Sequence, residues 1–195
     1  MAAVDPCPSS QPRCTLVTGP ASSGKSLWAE TLAQRASGAV LYLATGPELP
    51  DDPDWQERLR RHRQRRPAQW DCQEVGLQLA RAVAQAPASK TVLIDSLGTW
   101  VAAGLDVDEG RWSLLCQELL EVMAAARASL IAVAEETAWG VVPSTAAGGL
   151  FRQRLGNLLQ ALMPHCDAAW LVLHGRAIDL LAMSISIAAE GLEQR

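Results

Sequence analysis

The chain has 195 residues, 49% hydrophobic and 19% charged, with a formal net charge of −4 and a sequence pI near 5.4. That composition fits one globular domain with a real core and excludes a disordered chain. The acidic balance argues against a dedicated nucleic-acid binder, whose domains run basic.

Residues 1–13 are polar and contain proline, without a charged start followed by a long apolar run, and read as a flexible leader rather than a signal peptide. Residues 14–195 are expected to form a single domain. Strands are predicted at 14–18, 39–44, 91–95, 129–134 and 168–173, each a continuous apolar run of the kind buried on both faces of a parallel sheet. Helical spacing occupies 25–36, 54–65, 73–86, 109–126 and 147–163. Alternation of the two patterns predicts an α/β fold, a mostly parallel central sheet flanked by helices. The tail from Leu180 is read as a final edge strand and a frayed end. Five cysteines (Cys7, Cys14, Cys72, Cys116 and Cys166) are odd in number and contain no C-x-x-C pair. They exclude an all-paired disulfide framework and suit a reducing compartment. No window offers the eighteen or so uninterrupted apolar residues of a membrane span. A cytoplasmic protein is the expectation.

The first strand runs into "GPASSGKS" (Gly19, Pro20, Ala21, Ser22, Ser23, Gly24, Lys25, Ser26) and then into a helix. This is the phosphate-loop pattern G-x-x-x-x-G-K-[ST] in its strand–loop–helix setting. Gly19 and Gly24 permit the dihedrals that turn backbone N–H groups inward, and the helix N-terminus adds its dipole. Lys25 can reach β- and γ-phosphates of ATP or GTP, and the Ser26 hydroxyl can ligate Mg²⁺. Asp95, ending the strand "TVLID", is the metal-side carboxylate expected beside such a loop, with Glu135 and Glu136 in competition.

The segment "RLRRHRQRR", residues 58–66, packs six arginines around His62 in an acidic chain. A helix is predicted from a cap at Asp54, with Glu57 three residues on, to a stop at Pro67. Arg58, His62 and either Arg65 or Arg66 then share a face. Neighbouring cations bias His62 toward neutral imidazole, which is nucleophilic, and arginines can hold a phosphate chain. From the segment alone, a solvated basic face with an incidental histidine is the favoured reading.

Taken together, most of residues 14–180 resembles the adenosylcobinamide kinase / adenosylcobinamide-phosphate guanylyltransferases of cobalamin biosynthesis. The matching stretches are "LVTGPASSGKS", "LYLAT", "RLRRHRQRRPAQWDCQE", "LIDSLGTWV", "ETAWGVVP", "LFRQRLGNLLQAL" and "AAWLVLHG", in order. The resemblance implies that His62 takes up GMP from GTP as a covalent intermediate. It implies nucleotide contacts at residues 19–26, at Ala44, Thr45 and Gly46, at Arg63, Gln64, Arg65 and Arg66, and at Glu74 and Asp95. It further implies a corrinoid substrate and a homo-oligomer, a trimer. The sequence departs from the family at Glu135 (asparagine there), Ala138 (glycine), Gly149 (arginine), Gln153 (aspartate) and Leu159 (asparagine). These lie in the C-terminal third, so the guanylyl-transfer elements are the better preserved. Two other readings stay open: a P-loop small-molecule kinase without the GMP step, and a non-catalytic nucleotide-binding protein. His165 and His174 lack partners at metal spacing and read as structural. Trp139 follows the fourth strand as a candidate ligand-facing aromatic.

Overall fold

A computed structural model describes residues 12–47, 51–137, 139 and 143–187. Of the leader, residues 1–11 lie outside that range, while the Arg13 amide already bonds the Asp167 carboxylate at 2.8 Å. The strands are β1 (Cys14–Gly19), β2 (Ala39–Ala44), β3 (Asp71–Glu74), β4 (Lys90–Asp95), β5 (Ser129–Glu135), β6 (Ala168–Leu173) and β7 (Arg176–Asp179). They form one sheet in the order β3-β2-β4-β5-β1-β6-β7. All neighbours are parallel except β7, which folds back antiparallel on β6. The five strands read from apolar runs are all present, within a residue or so of the expected bounds.

Continuous apolar strands bury both faces, and successive side chains divide between them. Leu16 faces one layer and Val17 the other. The larger layer is built with α3 (Leu79–Ala84), α4 (Leu97–Ala103), α5 (Glu109–Ala125) and α6 (Ala146–Leu162). Trp100, Trp112, Leu119 and Leu155 fill it. The smaller layer lies under α1 (Lys25–Arg35), where Ala29 and Ala33 let the helix sit close to Val17, Tyr42 and Trp170. Trp28 meets Trp170 edge to face at 5.4 Å. Among the described residues no helix is long and apolar enough to cross a membrane.

Three sequence expectations are corrected. Residues 73–86 are not one helix: β3 ends at Glu74, a 3₁₀ turn spans Gly76–Gln78 and only Leu79–Ala84 is α-helical. Edge strand β7 precedes the tail, and the tail itself opens with the single-turn α7 (Leu180–Met183). The arginine helix, α2 (Pro53–Arg65), is capped by Asp52, whose carboxylate accepts from the Trp55 amide at 2.9 Å. Asp52 captures the cap because Pro53 then occupies the first helical turn, where a missing N–H costs nothing. Glu57, freed from capping, pairs with Arg60 and Arg61 at 2.6 and 2.8 Å. Those guanidiniums hold its carboxyl at about 2, well below the usual carboxylate range.

Candidate functional site

Every strand end that carries chemistry emerges on one edge of the sheet. Register places Glu74, Ala44 and Asp95 in a row across β3, β2 and β4, and Glu135 opposite Gly19. In a parallel sheet this carboxyl edge is where loops and helix N-termini converge on ligands.

The phosphate loop leaves β1 at Gly19. Gly24 caps α1 with φ +97°, a conformation that L side chains resist, and so turns the chain into the helix. Lys25 begins α1 almost fully buried, with Nζ donating to the Pro20 carbonyl at 3.3 Å. The Thr18 and Ser23 hydroxyls are buried without a hydrogen-bond partner. Orphaned hydroxyls and a buried ammonium under an anion nest are groups that a polyphosphate would satisfy. Two backbone bonds brace the loop: Glu136 N donates to Gly19 O and Gly175 N to Ser23 O, both at 2.9 Å. The second brings in the β6–β7 turn, where His174 (φ +50°) and Gly175 reverse the chain. His174 thus takes a turn position beside the loop.

α2 stands over this edge. Asp54, Glu57, Arg61 and Arg65 form the wall facing Ser22–Leu27 across one cleft. On its other side Trp55, Leu59, Arg63 and Arg66 face a second cleft floored by Ala44, Gly46, Glu74, Asp95 and Glu135. Arg63 donates to Glu74 at 3.2 Å. Gln64 lies along an outer groove with Arg60 rather than in either cleft. His62 is carried on α2 next to Arg61; the side chains of His62 and Arg58 lie outside the described residues, and with them the expected shared face.

A polar network ties the second cleft together. Tyr42 donates its hydroxyl to Asp95 Oδ2 at 2.8 Å. Burial and then the Asp95 charge push the Tyr42 phenol far above its ordinary value. Thr45, fully buried, bonds the Ser96 carbonyl and lies 2.6 Å from the Thr99 hydroxyl. Ser96 caps α4 and donates Oγ to Glu135 at 2.8 Å. The order of strands separates the rival carboxylates. Glu135 ends the strand beside the phosphate loop, whereas Asp95 ends β4, one strand further out.

Ser26 and these carboxylates are hard oxygen ligands, the kind Mg²⁺ takes alongside phosphate oxygens, so the residues fit that ion. Among the described residues no three His, Cys, Asp or Glu side chains cluster as a metal cage. Sequence reasoning missed Tyr42, Ser96 and Glu30. Tyr42 sits inside an apolar run, and Glu30 becomes notable only through its burial at 4% exposure. Of the departures from the family, Glu135 lies in the site, Gly149, Gln153 and Leu159 on α6, and Ala138 outside the described residues.

Comparison with known proteins agrees with the geometry. The family description "Cobinamide kinase / cobinamide phosphate guanyltransferase" matches residues 15–180. The chain belongs to this family. It is 34% identical over 167 residues to the bifunctional adenosylcobalamin biosynthesis protein CobP of Pseudomonas aeruginosa, covering 85% of this chain and 95% of that protein. The bifunctional adenosylcobalamin biosynthesis protein CobU of Salmonella typhimurium is 31% identical over 180 residues, 85% of this chain and 98% of its own. Among solved structures, an ATPase of a type III secretion system of pathogenic bacteria superimposes with a TM-score of 0.55 at 12% identity. The match covers 91% of this chain but only 59% of the ATPase, and it concerns the fold alone.

Proposed function

We propose that this cobinamide kinase / guanyltransferase family member phosphorylates the hydroxyl of adenosylcobinamide with ATP or GTP, then transfers GMP from GTP to the resulting phosphate. The observation that carries the reading is the shared cleft, with the phosphate loop as one wall and the arginine helix as the other. A triphosphate on the loop would lie against Arg61 and Arg65, which neutralise its charge.

In the kinase step the substrate hydroxyl oxygen attacks the γ-phosphorus, the bond to the bridging oxygen breaks, and the nucleoside diphosphate leaves. Lys25 and the loop amides stabilise the negative charge spread over the transferring group. Bound Mg²⁺, held by Ser26 and Asp95, would supply further charge neutralisation on the phosphate oxygens. In the guanylyl step an imidazole nitrogen of His62 attacks the α-phosphorus. An N–P bond forms, the P–O bond to pyrophosphate breaks, and pyrophosphate leaves. An oxygen of cobinamide phosphate then attacks the same phosphorus, which releases His62 and gives the GDP-cobinamide. Ala44, Thr45, Gly46, Arg63, Arg66, Glu74 and Asp95 border the cleft beside it and are assigned to the nucleotide; Gln64 is assigned with them by resemblance. The corrinoid is the partner, and nucleic acid is not. The protein works in the cytoplasm as a homo-oligomer, a trimer by family resemblance.

Incubation with GTP labelled at the α-phosphate tests this reading. Protein-bound label that is lost in acid, kept in base and absent from His62→Ala is expected, because an N–P bond to imidazole has that stability. Phosphorylation of adenosylcobinamide persists in the variant. Turnover of adenosylcobinamide without labelling would leave a simple kinase, and binding without turnover a nucleotide-binding protein.

A further inference from the structure

α2 is held in an unusual way. None of its described side chains is fully buried, and none joins either apolar layer. Apart from the Trp55 ring packed on Gly46, its position rests on polar contacts, which hold a helix only where their geometry is fixed. At its start the Trp55 indole donates to the Pro47 carbonyl at 2.8 Å. At its end two adjacent arginines are clamped. Arg65 Nη2 bonds Glu30 Oε1 at 3.2 Å. The Arg66 guanidinium lies 4.1 Å from the centre of the Tyr42 ring and donates to Cys72 Sγ at 2.8 Å.

Glu30 is the informative partner. It sits on α1, five residues beyond Lys25, and its side chain is 5% exposed. A buried carboxylate is costly to keep unless it is paired, and this one is paired across to the arginine helix. The contact links the helix that presents the phosphate loop to the last residue of the helix that carries His62. His62 precedes Arg65 by three residues, less than one turn, over which a helix is stiff. Fixing Arg65 on α1 thus fixes the backbone of residue 62 relative to Lys25.

We propose that Glu30 is a positioning residue for guanylyl transfer: through Arg65 it sets the distance between His62 and a triphosphate on the phosphate loop. The proposal rests on the reading of His62 as nucleophile. It separates the two activities by degree: in the kinase step α2 supplies only neutralising arginine charge, which tolerates a small shift, whereas the guanylyl step needs a His62 nitrogen at attack distance from phosphorus.

Single-turnover labelling with α-labelled GTP, measured on the full chain, tests it. Glu30→Gln keeps the side-chain volume and removes the charge. Its labelling rate should fall about tenfold or more, with GTP affinity and kinase kcat held within about twofold, since small misplacement of a nucleophile is expensive. Arg65→Gln, which also removes a charge beside the triphosphate, should slow labelling at least as much. The double variant should label no more slowly than Arg65→Gln alone, because Glu30 acts through Arg65. Wild-type labelling speed in Glu30→Gln, equal loss of kinase and labelling, or additive effects in the double variant would each overturn the proposal. Failure of the underlying reading looks different: wild-type protein would then take up no acid-labile label, or His62→Ala would still take it up.

Discussion

Tyr42 is the chain's single tyrosine, so its titration can be followed without interference from another phenol. Burial, the Asp95 charge and the hydrogen bond to Asp95 all raise its pKa in the folded state. The neutral phenol therefore stabilises the fold fully below the ordinary value of about 10, and that contribution is lost as pH rises beyond it. Alkaline titration should show no phenolate absorbance at 295 nm while the protein stays folded. The band should rise together with loss of the near-ultraviolet dichroism, and a phenolate band near the ordinary value in folded protein would contradict the Tyr42–Asp95 bond. The same residue shows where sequence reading stops. Lys25 and Ser26 were legible because the phosphate loop encodes its chemistry in local spacing. Tyr42 and Glu30 depend on which helix lies over which strand, and no local pattern records that. In "AVLYLA" a tyrosine looks like one more core residue, and its hydroxyl finds Asp95 only after β2 and β4 pair.

At the scale of elements, legibility followed apolar content. The five runs read as strands carry buried side chains on both faces. β3 and β7 escaped because they are the sheet's edges: "DCQE" is exposed at all four positions, and "RAID" is at best half-buried. α4 escaped because it is short: seven residues, four of them buried, make barely two turns, too few to show helical periodicity. α2 was found from its charge and its proline stop, although its cap was misplaced by two residues. That cap gives a local prediction. Asp52→Ala should cost about 1 kcal/mol at the start of the helix, and the Trp55 amide should exchange hydrogen about fivefold faster. Amides of β4 and β5 should be unaffected, since α2 adds nothing to the layers around them. Uniform acceleration across the sheet would show that α2 is packed into the body of the protein after all.

The whole molecule places its phosphate loop in the interior of the sheet. β1, the first strand in sequence, is flanked by β5 and β6, which are among the last. A chain ending at Cys166 would lack β6 and β7, expose one edge of β1 and lose the Gly175 bond that braces Ser23. It is expected to bind no GTP and to aggregate, because an unpaired apolar strand edge is a template for association. Soluble expression with intact GTP binding would refute this. The arrangement also has a consequence in time. The loop's residues leave the ribosome early, but the strands that brace them emerge more than a hundred residues later. At elongation rates of about 5–20 residues per second that interval is roughly five to thirty seconds. A nucleotide therefore cannot act as a template for the nascent chain up to β5: a braced loop comes into being only once β6 and β7 have emerged.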